Sequence, residues 1–167
     1  MTTLQPFEGP CLGKECPPRL CQQMKRELGF FSFFAENEME DLSRHFNCRS
    51  VPAKTNLWES GDPCEYIGFI VSGKVQIKVD TEFPGKQVVV GVFTRGAVIG
   101  TSCAVDDAPR NSTATAMEDT GLILITHDNF THLIEHHPQL GTRLLKGMLL
   151  SESTRLQQAY ARLASIF

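Results

Sequence analysis

The sequence has no apolar run long enough to cross a membrane. Its longest runs, such as residues 88–93, extend over about six residues, whereas a transmembrane helix needs about 20. The first residues also lack the basic patch and following apolar stretch of a secretory signal. Both absences predict a cytoplasmic protein without a membrane partner.

Charge of one sign is not in excess either. The sequence has 16 Lys and Arg residues against 19 Asp and Glu residues, which gives a formal net charge of −3. A protein that binds nucleic acid mainly by neutralising phosphates carries a basic stripe. We therefore expect no direct nucleic acid binding.

Motifs of common catalytic sites are absent from the sequence. It contains no Gly-x-Ser-x-Gly, no His-Glu-x-x-His and no phosphate-binding Gly-x-x-x-x-Gly-Lys-Ser. His132 and His136 are four residues apart and could bind zinc on one helical face, with His127 and His137 nearby. Only Glu135 is close enough to assist, and it points elsewhere on the helix. The sequence thus predicts a non-enzymatic protein whose histidines form an exposed polar face.

What is present is the length of one domain with a short extension. A chain of 167 residues buries enough surface to fold without a disulfide or a metal. Residues 1–23 contain four prolines and three cysteines, which predicts an irregular Cys/Pro-rich arm. Residues 24–167 form the predicted domain.

The hydrophobic periodicity changes twice along this domain. Residues 32–46 show helical spacing, and residues 48–125 contain about eight short strands separated by Gly- and Pro-containing turns. Residues 127–165 return to helical spacing, with Asp128 or Asn129 as N-cap and Pro138 as the start of a long last helix. We predict an α+β fold, in which an eight-stranded antiparallel β-roll of jelly-roll type is flanked by N-terminal helices and a long C-terminal helix.

Apolar residues of the last helix follow a heptad pattern, in which Glu152 is the one misfit. The seam consists of Leu145, Leu149, Leu156, Ala159, Leu163 and Ile166. This pattern predicts a homodimer formed through the helix. The alternative is that the helix packs only on its own roll.

Residues 96–116 contain what an anion-binding site needs. Gly96 and Gly100 permit close backbone approach, and residues 101–105 have the length of one helical turn with free N–H groups. Arg110 adds a permanent, fork-shaped cation. The segment therefore predicts a cradle for one phosphate. Alternatively, Arg110 is a surface arginine that ties the loop to Asp106 or Asp107.

The same segment and the strands before it resemble the cyclic nucleotide-binding domain of the catabolite activator protein and fumarate-nitrate regulator superfamily. The resemblance rests on NLWESGDPCEYIGFIVSGKVQI, GKQVVVGVFTRGAVIG and APRNSTATA, and extends from residue 43 to about residue 161. It implies that residues 96–116 are a phosphate cassette for cyclic AMP or cyclic GMP and that no other cofactor is required. The implied ligand-binding residues are Gly100, Thr101, Ser102, Arg110, Asn111 and Ser112, with Arg155, Gln158 and Tyr160 as a lid.

One position departs from the family pattern. The family usually has Glu directly after the cassette glycine, where it accepts a hydrogen bond from the ribose 2′-hydroxyl, and this sequence has Thr101. Loss of a hydrogen bond to a charged group predicts roughly tenfold to hundredfold weaker binding. Weak cyclic mononucleotide binding, a different ligand such as a cyclic dinucleotide, and no ligand all remain open. We expect Thr101→Glu to strengthen cyclic mononucleotide binding.

The N-terminal cysteines carry a second hypothesis. Cys11, Cys16 and Cys21 could bind a metal or an iron–sulfur cluster, and the arm is similar to the cysteine clusters of oxygen-sensing members of the superfamily. The spacing differs from theirs, and Cys48, Cys64 or Cys103 would have to be the fourth ligand. A cluster is therefore not the expected state. Free thiols in a reducing cytosol or a disulfide are the alternatives, and Cys103 is expected to pack inward as a small apolar residue.

These observations predict a small-molecule sensor that signals through movement of its C-terminal helices. The superfamily's transcription factors continue into a helix-turn-helix domain after this helix, whereas the sequence stops at Phe167. The sequence thus predicts either a standalone sensor acting on an unidentified protein partner or a chain that ends before its effector. The alternative functions are a redox or iron–sulfur sensor and a degenerate, ligand-free interaction or dimerisation module.

Overall fold

The computed structural model describes residues 24–26, 28–106 and 108–165. The predicted arm with Cys11, Cys16 and Cys21, together with Asp107 and Ile166, lies outside the described residues.

Within the described ranges, eight strands form two four-stranded sheets in which every pairing is antiparallel. The first sheet has the order β1-β8-β3-β6 and the second β2-β7-β4-β5. The predicted eight-stranded roll is confirmed. The strands are β1 (Asn47–Val51), β2 (Asn56–Trp58), β3 (Tyr66–Ser72), β4 (Lys74–Asp80), β5 (Gln87–Thr94), β6 (Val98–Ile99), β7 (Thr113–Ala116) and β8 (Thr120–Thr126).

Helices flank the roll on both sides in sequence, which confirms the α+β class. They are a 3-10 turn (Gly29–Phe31), α1 (Glu36–Ser43), a second 3-10 turn (Thr101–Ala104), α2 (His127–His136) and α3 (Pro138–Ala164). The long last helix begins at Pro138, as predicted. The first N–H groups of a helix have no acceptor within the helix, so the N–H that proline lacks costs no hydrogen bond there.

Two predicted helix starts are wrong. The helix predicted over residues 32–46 begins only at Glu36, because Ala35 is extended and its N–H donates to the Glu38 carboxylate at 2.8 Å. The next helix is capped by Thr126 rather than Asp128 or Asn129, since the Thr126 side chain accepts from the Asn129 N–H at 3.2 Å. Each start is therefore decided by a local side-chain acceptor for an otherwise unpaired N–H.

The first sheet is buried on both faces. Alternate residues of β3 point to different cores: Phe69 packs against Phe31, Phe46 and the helices, and Ile70 lies inside the roll. This double burial explains why β3 and β8 read as continuous apolar runs instead of alternating ones. It also holds the helices against one face of the roll and leaves the other sheet free to line a cleft.

The long helix α3 has two different halves. Its first half is buried through Leu140, Leu144 and Met148, and a Cβ added to Gly147 would lie 2.8 Å from the Phe30 ring. From Leu149 onward most side chains are exposed. Among the described residues, no helix is long and apolar enough to span a membrane. The second half of α3 therefore extends from a firmly packed base along the open side of the roll.

Candidate functional site

A cleft of about 260 Å³ opens between the second sheet, the predicted phosphate cassette and α3. It brings together all six residues predicted for the cassette, namely Gly100, Thr101, Ser102, Arg110, Asn111 and Ser112. Arg155, one of the three predicted lid residues, also lines the cleft, whereas Gln158 and Tyr160 are exposed and lie outside its lining. The volume is close to the lower end of small-molecule sites, which begin near ~300 Å³.

Arg110 is buried at the base of this cleft, with 4% of its surface exposed. Its Nη2 donates to the Tyr66 carbonyl at 2.6 Å, and its guanidinium carbon lies 4.1 Å from the centroid of the Trp58 ring. Among the described residues it forms no ion pair with a carboxylate, and Nε has no hydrogen-bond partner. The alternative of a surface arginine is therefore wrong.

Burial lowers the pKa of the Arg110 guanidinium below its ordinary value, and the nearby Tyr66, Glu65 and Asp62 only partly oppose this shift. A buried cation without a partner is unfavourable, because desolvation is not compensated. Trp58 Nε1, buried beside it, also has no hydrogen-bond partner. The base of the cleft thus holds two buried polar groups whose hydrogen-bonding capacity is incompletely used.

Gly100 is required here for two reasons. Its φ of 72° lies in the left-handed region, and it is the N-cap of the cassette's helical turn, which the structure shows as a 3-10 turn over Thr101–Ala104. A Cβ at this position would lie 2.5 Å from Arg110 Nη1 and 3.2 Å from the Tyr66 carbonyl oxygen. The glycine therefore permits both the turn and the approach of the guanidinium.

A disulfide between Cys64 and Cys103 joins the segment before β3 to the cassette turn. Cys103 is fully buried, as predicted, but its crosslink was not expected from the sequence. Neither residue is thus a free thiolate, so neither is the fourth ligand of a metal centre. Within the described ranges, no group of three or more His, Cys, Asp and Glu residues is arranged to hold a metal ion.

Helix α3 contributes one cleft residue that the sequence reasoning missed. The Glu152 carboxylate accepts from Thr101 Oγ1 at 2.9 Å and from Arg155 Nη1 at 2.7 Å. Arg155 also donates to the Val98 carbonyl, and its guanidinium carbon lies 4.5 Å from the Phe93 ring centroid. The signal was present in the sequence, because Glu152 is the polar misfit of the heptad seam.

The histidines form an exposed patch rather than part of the cleft. The rings of His132 and His136 stack at 4.0 Å, and the His45 ring lies 5.7 Å from His132 and 6.0 Å from His137. His132, His136 and His137 are exposed. The predicted exposed polar face is confirmed for these three histidines, whereas His127 is half-buried, with its Nδ1 3.0 Å from the Cys103 carbonyl oxygen. The half-buried His45, between α1 and β1, lies against the exposed face.

The family model of the cyclic nucleotide-binding domain matches residues 48–137. The chain belongs to the cyclic nucleotide-binding domain family. The match contains the roll, the cassette and α2, and it confirms the resemblance that the sequence motifs carry.

Two curated relatives and one solved structure illustrate the match of this cyclic nucleotide-binding domain. Patatin-like phospholipase domain-containing protein 6 of Pongo abelii is 31% identical over 96 residues, which cover 58% of this chain and 7% of that protein. Cyclic AMP receptor protein of Thermus thermophilus is 25% identical over 114 residues, which cover 68% of this chain and 52% of that protein. The chain therefore spans about half or less of these relatives.

The solved structure is a cyclic nucleotide-binding domain from Methylobacillus flagellatus. It has a TM-score of 0.82 and 22% sequence identity, and the match covers 93% of this chain and 89% of the other. At this identity the likeness concerns the fold, including helices that the family model leaves out.

Proposed function

We propose that this chain is a non-enzymatic sensor module that binds cyclic AMP or cyclic GMP in the cleft between the cassette and α3. The observation that carries the proposal is the buried Arg110, which has no carboxylate partner among the described residues and lies at the base of an open cleft. A cyclic phosphate would accept from this guanidinium and compensate its desolvation.

The rest of the cleft suits the other parts of a nucleotide. Apolar and aromatic side chains, including Ile77, Val90 and Phe93, line the wall away from Arg110. A planar base buries apolar surface against such a wall. Because the cleft is not filled by the protein's own side chains, its shape favours a ligand-binding module over a degenerate one.

The signalling step in this proposal is a population shift of α3. The second half of α3 contacts the roll at the cleft through Glu152 and Arg155, close to the residues that would hold the ligand. A ligand that binds one position of the helix more tightly shifts the population toward it. The output is then a change in how α3 lies on the roll.

We also propose that α3 forms a homodimer through its exposed half. Leu149, Leu156 and Leu163 recur every seven residues and are 70%, 51% and 57% exposed. An apolar row of this period is self-complementary with a second copy of the same helix. An unidentified protein partner would then receive the signal from the dimer.

The test of the binding proposal is thermal unfolding with cyclic AMP, cyclic GMP, cyclic di-GMP and 5′-AMP. A ligand at 100 times its Kd stabilises the folded state by about 2.7 kcal/mol, which raises the Tm by several degrees at this chain length. We expect a rise with cyclic AMP or cyclic GMP and none with 5′-AMP.

Arg110→Ala should then weaken binding by roughly 100-fold or more, because it removes the phosphate's cation. The matched control is Arg44→Ala, since Arg44 is an exposed arginine away from the cleft. Unchanged affinity in Arg110→Ala, or no shift with either cyclic mononucleotide in the wild type, would contradict the proposal.

A further inference from the structure

We propose that Glu152 is the ligand-recognising carboxylate of this cleft, so that α3, and not the cassette, accepts the hydrogen bond from the ribose 2′-hydroxyl. The inference rests on the proposed function, because it assigns a part of the nucleotide to a residue of the same site.

The cleft is lined by charged groups of both signs. Arg110 lies buried at its base, and α3 brings the Glu152 carboxylate, paired with Arg155 at 2.7 Å, to the same cleft. The Glu152 side chain is 42% exposed, so the carboxylate faces the open cleft instead of the protein interior. A ligand that contacts both Arg110 and Glu152 therefore needs an anionic group and a hydroxyl or amino donor.

The contacts of Glu152 hold one of its oxygens and leave the other available. The hydrogen bonds from Thr101 and from Arg155 both reach Oε1. Among the described residues no donor reaches Oε2. Thr101 and Arg155 thus orient the carboxylate, and Oε2 retains its capacity to accept from a ligand.

The same geometry makes Thr101 a weaker acceptor for the ligand than Glu152. Its hydroxyl proton lies in the hydrogen bond to Glu152, and its neutral oxygen accepts less strongly than a charged carboxylate. Thr101 is therefore a positioning residue that connects the cassette to the carboxylate of α3. Thr101, which departs from the family pattern, and Glu152, the misfit of the heptad seam, are therefore joined by one hydrogen bond.

The arrangement has a consequence for signalling. A hydroxyl of the ligand that donates to Glu152 binds the helix itself, so recognition and helix position depend on the same hydrogen bond. Differential affinity for the two helix positions then comes from the ribose, in addition to the phosphate at the cassette.

The experiment compares two ligands and two protein variants by isothermal titration calorimetry. The probes are the cyclic mononucleotide that stabilises the wild type and its 2′-deoxy analogue. Glu152→Gln should weaken binding of the ribose ligand roughly tenfold to hundredfold, because a hydrogen bond to a charged acceptor is lost. The affinity for the 2′-deoxy analogue should be nearly the same in the wild type and in Glu152→Gln.

Two further variants sharpen the comparison. Glu40→Gln, on the exposed surface of α1, is the matched control and should leave both affinities unchanged. Thr101→Glu alone should not strengthen binding, contrary to the expectation from the sequence, because it places two carboxylates side by side. Thr101→Glu combined with Glu152→Ala moves the carboxylate into the cassette and should restore discrimination against the 2′-deoxy analogue.

The outcomes separate the two proposals. If Glu152→Gln bound both ligands as tightly as the wild type or more tightly, this inference would be overturned. Glu152 would then only hold α3 against the cassette. Failure of the wild type to bind any cyclic mononucleotide would overturn the proposed function and this inference with it. Weakening confined to the ribose ligand would support both.

Discussion

An isolated guanidinium in a protein interior is costly unless an anion or several acceptors compensate its desolvation. Arg110 has one short hydrogen bond, to the Tyr66 carbonyl, and stacks on Trp58 at 4.1 Å. These contacts position the side chain but do not neutralise it. A charged group that is strongly desolvated and lies in a cleft is a candidate functional residue, which is the physical basis for the proposal that a phosphate binds here.

At the same scale, His45 makes the stability of the protein depend on pH. Its pKa is lowered from the ordinary value of 6.5, first by burial and then by the neighbouring His132 and His137; Arg44 acts in the same direction and Asp41 opposes it. The unfolded chain therefore binds a proton at a higher pH than the folded protein does. Stability is complete above about pH 6.5 and falls as the pH decreases through 6.5 toward the folded pKa.

We expect the free energy of unfolding, measured by urea titration between pH 5 and pH 8, to rise with pH below neutrality. His45→Gln should reduce this slope, because the glutamine does not titrate. His136→Gln, at an exposed histidine of α2, serves as the comparison. A slope that is identical in the wild type and in His45→Gln would show that the pH dependence arises elsewhere.

At the scale of elements, the cassette is held from two sides. The Cys64–Cys103 disulfide attaches its turn to the segment before β3, and the Thr101–Glu152 hydrogen bond attaches the same turn to α3. The first attachment is covalent and the second is exchangeable. This difference makes the contact with α3, and not the position of the turn on the roll, the part that a ligand can change.

Reduction of the Cys64–Cys103 disulfide should lower the stability of the protein. The crosslink joins residues 39 apart, and loop-closure entropy for a loop of this size is worth about 4 kcal/mol. We expect dithiothreitol to lower the Tm by on the order of 10 °C, as followed by circular dichroism.

The Cys64→Ser variant is the control for this measurement, since it lacks the crosslink and its Tm should not respond to dithiothreitol. Thiol alkylation followed by mass spectrometry of the unreduced wild type reports the pairing directly. Alkylation of both Cys64 and Cys103 without reductant, or an unchanged Tm on reduction, would contradict the prediction.

At the scale of the whole molecule, the long helix α3 contacts the core, lines the cleft and extends onto the exposed surface. Its first half is part of the core through Leu144, its middle reaches the cleft through Glu152, and its second half exposes leucines every seven residues. In the proposed mechanism, a movement of α3 that begins at the cleft also displaces the exposed half of the same helix. The proposed second copy would contact α3 at that half.

The dimer proposal predicts that Leu156→Glu shifts the chain from dimer to monomer in multi-angle light scattering. Because Leu156 is 51% exposed in the single chain, the change should leave the circular dichroism spectrum unaltered. Gln157→Glu, an adjacent exposed position, adds the same charge beside the seam and should leave the mass unchanged. A monomeric wild type at high micromolar concentration would exclude the dimer.

Much of the fold was predictable because short local patterns of residues mark where its strands and helices begin and end. Turn residues separate the strands, and Pro138 marks the start of α3, so the number and order of elements followed from the sequence. The helix starts were predicted less accurately. Each start depends on which side chain accepts a hydrogen bond from the first free N–H groups, and several polar side chains lie within a few residues of it. For α2, Thr126 provides the cap in place of the two polar residues that follow it.

The sequence by itself determined the order of the strands and helices and the segment that contains Gly100 and Arg110, because these depend on residue types at short spacing. Only the tertiary structure decided that Glu152 meets Thr101 and that Cys64 meets Cys103, since each pair is far apart in the chain. Heptad spacing assigned Glu152 to a dimer seam, whereas the path of α3 over the cleft turns it toward the cassette. Folding brings such residues together through the packing of whole elements, and no local pattern encodes that packing.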